Sequence, residues 1–144
     1  MSLALGINIR MRKATNTILI VTAIFTCLIM LYAGEPSSID WWRGIAGHFG
    51  WACLPYGIFI FFNMIKRGVF KKDFVLLVTT IIVSGFAIFI YIDTFFIHLD
   101  AQGGLIFLFL PMYQIIASIF GGLIGLGLYV RSSNAQPPAA RDGA

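Results

Sequence analysis

Long apolar stretches separated by short polar joints dominate this chain. Four of them, near residues 15–33, 45–65, 74–92 and 103–130, are long enough to cross a bilayer, since a helix needs about 20 residues to span roughly 30 Å of hydrocarbon. The pattern predicts an all-α integral membrane protein in which four transmembrane helices form a small bundle over residues 15–130. A basic segment, 1–14, precedes it, and a tail, 131–144, follows. The tail is rich in Pro, Ala and Ser without apolar period, and is expected to be disordered. Arg10, Arg12 and Lys13 before the first run resemble the start of a signal peptide, but LYAGEPSS is a poor small-x-small cleavage site, so a retained first span is expected. No internal repeat suggests a duplicated transporter fold.

Within the runs, the helical period of about 100° per residue divides side chains into faces. In the second, Ala46, Gly50, Cys53 and Gly57 share a ridge of small residues suited to close helix packing. His48, Trp51, Pro55, Phe59 and Phe62 fall on the opposite, aromatic side, expected to meet lipid or a loosely packed partner. In the fourth, Pro111, Gln114, Ala117, Ser118, Gly121, Gly122 and Gly125 cluster together, and Phe109, Met112, Ile116, Phe120 and Leu123 lie across from them. Ala117, Gly121 and Gly125 form a tandem small-xxx-small motif, which drives helix association in lipid, within the chain or between copies. Pro111 should kink the span and free the carbonyl near Phe107.

Gln114 falls near the bilayer centre, where an amide needs a partner. The third run offers Thr80, Ser84 and Tyr91 on one face, so a polar seam is expected in which Gln114 and Ser118 meet Thr80 and Ser84. Such a seam holds helices together at roughly 0.6 kcal/mol per contact, or else lines a narrow polar path or a pocket for a lipid headgroup or quinone.

Charge then orients the chain. Nine of the ten Lys and Arg residues lie before the first run, between the second and third, or after the fourth; only Arg43 falls on the other side, with Glu35, Asp40, Asp93 and Asp100. The positive-inside rule therefore predicts cytoplasmic termini in a cell (inner) membrane. The basic hairpin KRGVFKKD is expected to rest against anionic headgroups. Trp41, Trp42 and Arg43 read as an interfacial anchor at the opposite boundary. A makeup of 59% hydrophobic and 11% charged residues leaves a formal charge of +4 confined to these joints, which excludes a nucleic-acid-binding face.

Candidate chemistry is sparse. His48 and His98 could hold a haem, and Asp93, His98 and Asp100 a metal ion, but none has a recognised ligand spacing, and Asp100 equally suits an N-cap of the fourth helix. No cofactor is therefore expected. Cys27 and Cys53 fall inside spans, where an oxidised pair is not anticipated. No nucleophile or nucleotide motif is present, so a non-enzymatic protein is expected. No acidic or basic residue is expected deep in a span, which disfavours a proton-driven exporter.

In size and span number the chain is similar to small multidrug exporters, fluoride channels and inner-membrane immunity proteins against pore-forming toxins. The exporters carry a glutamate in their first span, whereas TNTILIVTAIFTCLIMLYA has none. The immunity proteins share only size, basic inner loops and Phe-rich spans. The leading expectation is a membrane protein acting through helix packing, as a homo-oligomer or an accessory subunit of a membrane complex, with the lipid bilayer and another membrane protein as partners. The alternatives are a channel or transporter using the polar seam, an immunity protein, and a haem- or metal-bearing redox protein.

Overall fold

A computed structural model of the protein describes residues 2–65, 70–98 and 103–134, with the side chains of 2–5 and 133 excluded. These residues form α1 (Ser2–Ala33), α2 (Ile39–Met64), α3 (Phe70–Ile92) and α4 (Ile106–Asn134). A π-helical turn at Asp93–Ile97 extends α3, and a short 3-10 turn at Gly103–Leu105 leads into α4. All four helices are long and apolar enough to cross a membrane, the architecture of a multi-pass membrane protein.

Each helix starts where local chemistry permits rather than where apolar character begins. α1 is continuous through Arg10, Arg12 and Lys13, so these basic residues share one helix with the first apolar run. Arg, Lys, Met and Leu are strong helix formers, and Arg12 has a helical partner. α2 begins before Trp41 because Ser38 caps it, its hydroxyl accepting the Trp41 amide at 3.4 Å. Phe70 rather than Phe74 opens α3, bringing Lys72 and Asp73 into its first turn.

Side-chain contacts fix the directions. Arg12 meets Asn63 and Thr26 meets Tyr56, so α1 and α2 are antiparallel. Trp51 meets Leu108 and Tyr56 meets Gln114, so α2 and α4 are parallel. Going round the bundle, neighbours follow the order α1, α2, α4, α3, with α2 and α3 touching little across the diagonal. One end holds Arg12, Lys72 and Arg131; the other holds the tryptophans, Asp93 and His98.

The outer surface is apolar and the interior is not. Large residues such as Ile24, Phe61, Phe89, Phe120 and Leu123 point outward, as a hydrocarbon environment favours. Inside, Leu19, Tyr56, Phe59 and Leu76 pack towards the basic end. Ile29, Met30, Ala52, Ala87, Tyr91, Phe107 and Leu110 pack towards the tryptophan end.

On α4, Gln114, Ser118, Gly121, Gly122 and Gly125 are buried, with Ala117 half-buried beside them. A Cβ on Gly121 would stand 2.7 Å from Cγ2 of Thr79, and one on Gly122 would enter the ring of Phe62. Gly125 lies against Lys72 and Leu76. This trough therefore packs within the chain.

α2 reverses the expected assignment. Ala46, Gly50 and Gly57 are exposed, Cys53 is half-buried, and nothing stands within 4 Å of a Cβ built on Gly50 or Gly57. Ala52, Pro55, Tyr56, Phe59 and Asn63 are the buried residues instead. The reason is complementarity of volume: a trough of glycines on α4 is filled by large side chains, and a second small ridge facing it would leave a void.

Candidate functional site

The interior carries a file of polar side chains from the basic end to the middle of the bundle: Asn8, Thr15, Thr22 and Thr26 from α1, Asn63 from α2, Lys72, Asp73, Thr80 and Ser84 from α3, and Gln114 and Ser118 from α4. Helical spacing puts them there. Residues 73, 80 and 84 repeat at seven and four, as do 15, 22 and 26, so each set holds one inward face.

At the basic end, α1 and α2 exchange bonds around Asn63. The Arg12 guanidinium donates to the Asn63 carbonyl at 2.8 Å, and the Asn63 amide donates to the Arg12 carbonyl at 3.3 Å and to Oδ1 of Asn16 at 2.6 Å. The Lys72 ammonium donates to the carbonyl of Ile65. Lys72 and Asp73 are each only 1% exposed, and Asp73 feels the charges of both Lys72 and Arg12. The expectation that Lys72 lies against headgroups is thus corrected: it is buried, though at the end of the helix and not deep in the span. The first turn of α3 faces the bundle, where its positive dipole end also favours the Asp73 carboxylate.

Nearer the middle, the polar groups divide by whether they have partners. Thr15, Thr22 and Ser118 donate back to carbonyls one turn earlier, at 3.0, 2.8 and 2.5 Å, the usual habit of helical hydroxyls. Gln114 donates through Nε2 to the Tyr56 hydroxyl at 3.3 Å, and Tyr56 shares a 3.0 Å hydrogen bond with Thr26. The amide of Gln114 therefore finds its partner on α2, not on Thr80 or Ser84 of α3 as the seam implied, because Tyr56 reaches the interior from the helix beside α4. The Asp73 carboxylate, Thr80 Oγ1, Ser84 Oγ and Gln114 Oε1 are buried with no hydrogen-bond partner in the structure. Native interiors leave few such atoms unsatisfied. From residue 73 to 84 this face rises about 16 Å, half a bilayer core. Above it, Tyr91 stacks on Phe107 and Phe107 on Phe95, with centroids 5.4 and 5.3 Å apart, closing the tryptophan end.

A cleft of about 230 Å³ between α3 and α4, lined by Ile82, Val83, Phe86, Leu110, Tyr113, Gln114 and Ala117, reaches the same amide from the apolar outside. Trp51, expected to face lipid or a loosely packed partner, is half-exposed and donates its indole N–H to the Leu108 carbonyl at 3.0 Å, one residue from the carbonyl that Pro111 was expected to free. Trp51→Phe should cost about 1 kcal/mol of stability, measured by reversible unfolding in mixed micelles.

The histidines stand apart from this file. His98 donates through Nδ1 to Asp93 at 2.9 Å and lines an outer cleft with Thr94 and Phe109. His48 donates to the Gly44 carbonyl at 3.3 Å and lines a different cleft with Trp41 and Phe95. The two candidate haem ligands therefore face separate spaces. Among the described residues no three His, Cys, Asp or Glu side chains converge; Asp100 lies outside them. At the anchor, Trp41 packs over Gly34, Trp42 donates to the Pro36 carbonyl at 2.9 Å, and Arg43 pairs with Asp40 at 3.3 Å on the surface.

The sequence reading missed Arg12, Asn16, Asn63, Lys72, Asp73 and the threonines of α1. The seven-and-four spacing of Thr15, Thr22 and Thr26 was the available signal. No family model, curated protein or solved structure matches the chain.

Proposed function

We propose that the protein is a small membrane transport protein whose polar interior conducts protons or small uncharged solutes, with both termini cytoplasmic in a cell (inner) membrane. The observation that carries this reading is the set of buried, unpartnered oxygens at Asp73, Thr80, Ser84 and Gln114. A bundle held together only by apolar packing has no use for them, whereas a permeant hydroxyl, amide or water can bond to each in turn. Asp73 supplies an ionisable group at the cytoplasmic entrance, and the Tyr91–Phe107–Phe95 stack is the outer gate. The crowding of basic residues at one end supports the orientation.

Proteoliposomes test it. Wild type should raise proton or urea flux well above that of protein-free vesicles, and Gln114→Leu should remove most of the increment. Flux that is equal in wild type, Gln114→Leu and empty vesicles rejects the transport reading.

A second reading rests on α2. Its Ala46, Gly50 and Gly57 face outward with open space beyond, a surface on which another membrane helix can approach closely. This supports self-association or docking to a larger membrane protein. Crosslinking in gentle detergent should then be reduced by Gly50→Ile, and unchanged crosslinking rejects it.

A further inference from the structure

Cys27 on α1 and Cys53 on α2, two apolar-looking positions in separate helices, meet with their sulfurs 3.6 Å apart. Both thiols are free and partly exposed. The antiparallel packing that joins Thr26 to Tyr56 holds them there, and a bonded pair at about 2.05 Å needs only side-chain rotation and a small approach of the sulfurs. The outward ridge of α2 explains their access. Gly50 and Gly57 stand about one turn on either side of Cys53, with nothing occupying the space a Cβ would take, and exposed Ile24 and Leu28 flank the pair on α1. The two thiols thus sit in a notch on the apolar surface. Cys27 lies six residues before the end of α1 at Ala33, about 9 Å along the axis, so the notch opens onto acyl chains below the tryptophan boundary. Water-soluble oxidants and glutathione do not partition there, whereas peroxidised acyl chains do.

We propose that Cys27 and Cys53 form an intramembrane dithiol that lipid hydroperoxides oxidise to a disulfide. Either thiol, both being partly exposed, can react first; on one path it is Cys53. Its sulfur attacks the terminal peroxide oxygen; the S–O bond forms, the O–O bond breaks, and the departing lipid oxygen takes the thiol proton and leaves as a lipid alcohol. Cys27 then attacks the sulfenic sulfur. The S–S bond forms, the S–O bond breaks, and the hydroxyl leaves with the Cys27 proton as water. Two thiols supply the two electrons that reduce the peroxide.

The full-length protein is reconstituted in phosphatidylcholine vesicles containing phosphatidylcholine hydroperoxide, then denatured and treated with a maleimide. Wild type should lose both reactive thiols, lose two hydrogens in intact mass, and give a linked Cys27–Cys53 peptide while remaining a monomer on a non-reducing gel. In Cys27→Ser a dimedone adduct should appear on Cys53, and an equal dose of hydrogen peroxide should act at least tenfold more slowly. Retention of both labels overturns the proposal, as does an interchain Cys53–Cys53 dimer or equal sensitivity to hydrogen peroxide. These outcomes are independent of whether the interior conducts.

Discussion

Replacing Asp73 by leucine will destabilise the folded bundle by about 1–3 kcal/mol, because the buried Lys72 loses a neighbouring negative charge. Asp73 is enclosed by protein and faces Lys72 and Arg12. Without its carboxylate two cations remain at the basic end of α1 and α3, and Lys72 is enclosed by protein while Arg12 is half-exposed. Asp73→Asn keeps the volume and loses the charge, so it should also destabilise, by less. The discriminating variant is Lys72→Met combined with Asp73→Leu, which removes one charge of each sign and should recover much of the loss. Unfolding in mixed micelles measures all three. A single Asp73→Leu variant within 0.5 kcal/mol of wild type, the ordinary range for surface changes, would show that the carboxylate has no part in holding the helices.

Gly122→Ile should destabilise the bundle by about 3 kcal/mol, the upper range for overpacking a filled interior. The ring of Phe62 occupies the space that the new side chain needs, and both belong to helix backbones that are fixed by Trp51 and Tyr56. Gly50→Ile is its control. That position is equally small, equally helical and equally apolar in its surroundings, yet it faces open space, so its effect on unfolding should stay within about 0.5 kcal/mol. Equal effects at the two positions would mean that α2 and α4 pack differently from the arrangement described.

The four helices were legible because hydrocarbon imposes a length and a composition that few other structures share. The inward side of α4 was legible too, since its glycines and polar residues coincide on one face. Periodicity says that a helix has two unlike faces but not which of them points inward. For α2 that answer depends on Phe62 and Tyr56 meeting the α4 trough, information that lies in another segment. Lys72 and Asp73 were hidden for a different reason. Counted in windows they belong to a basic joint, and only the true start of α3 at Phe70 turns them towards the interior. Tyr56 as the partner of Gln114, and the approach of Cys27 to Cys53, are tertiary facts to which no local pattern corresponds.

The circular order α1, α2, α4, α3 has a consequence for how the chain is built. Consecutive helices α1 and α2 are neighbours, as are α3 and α4, but α2 and α3 sit across the diagonal. The chain therefore divides into two hairpins of consecutive helices, α1–α2 and α3–α4. The first is closed by Arg12 with Asn63 and Thr26 with Tyr56, and the second supplies Gln114 to Tyr56 and the charge of Asp73 to Arg12. Separately expressed halves cut between α2 and α3 should find each other by the contacts that complete the whole.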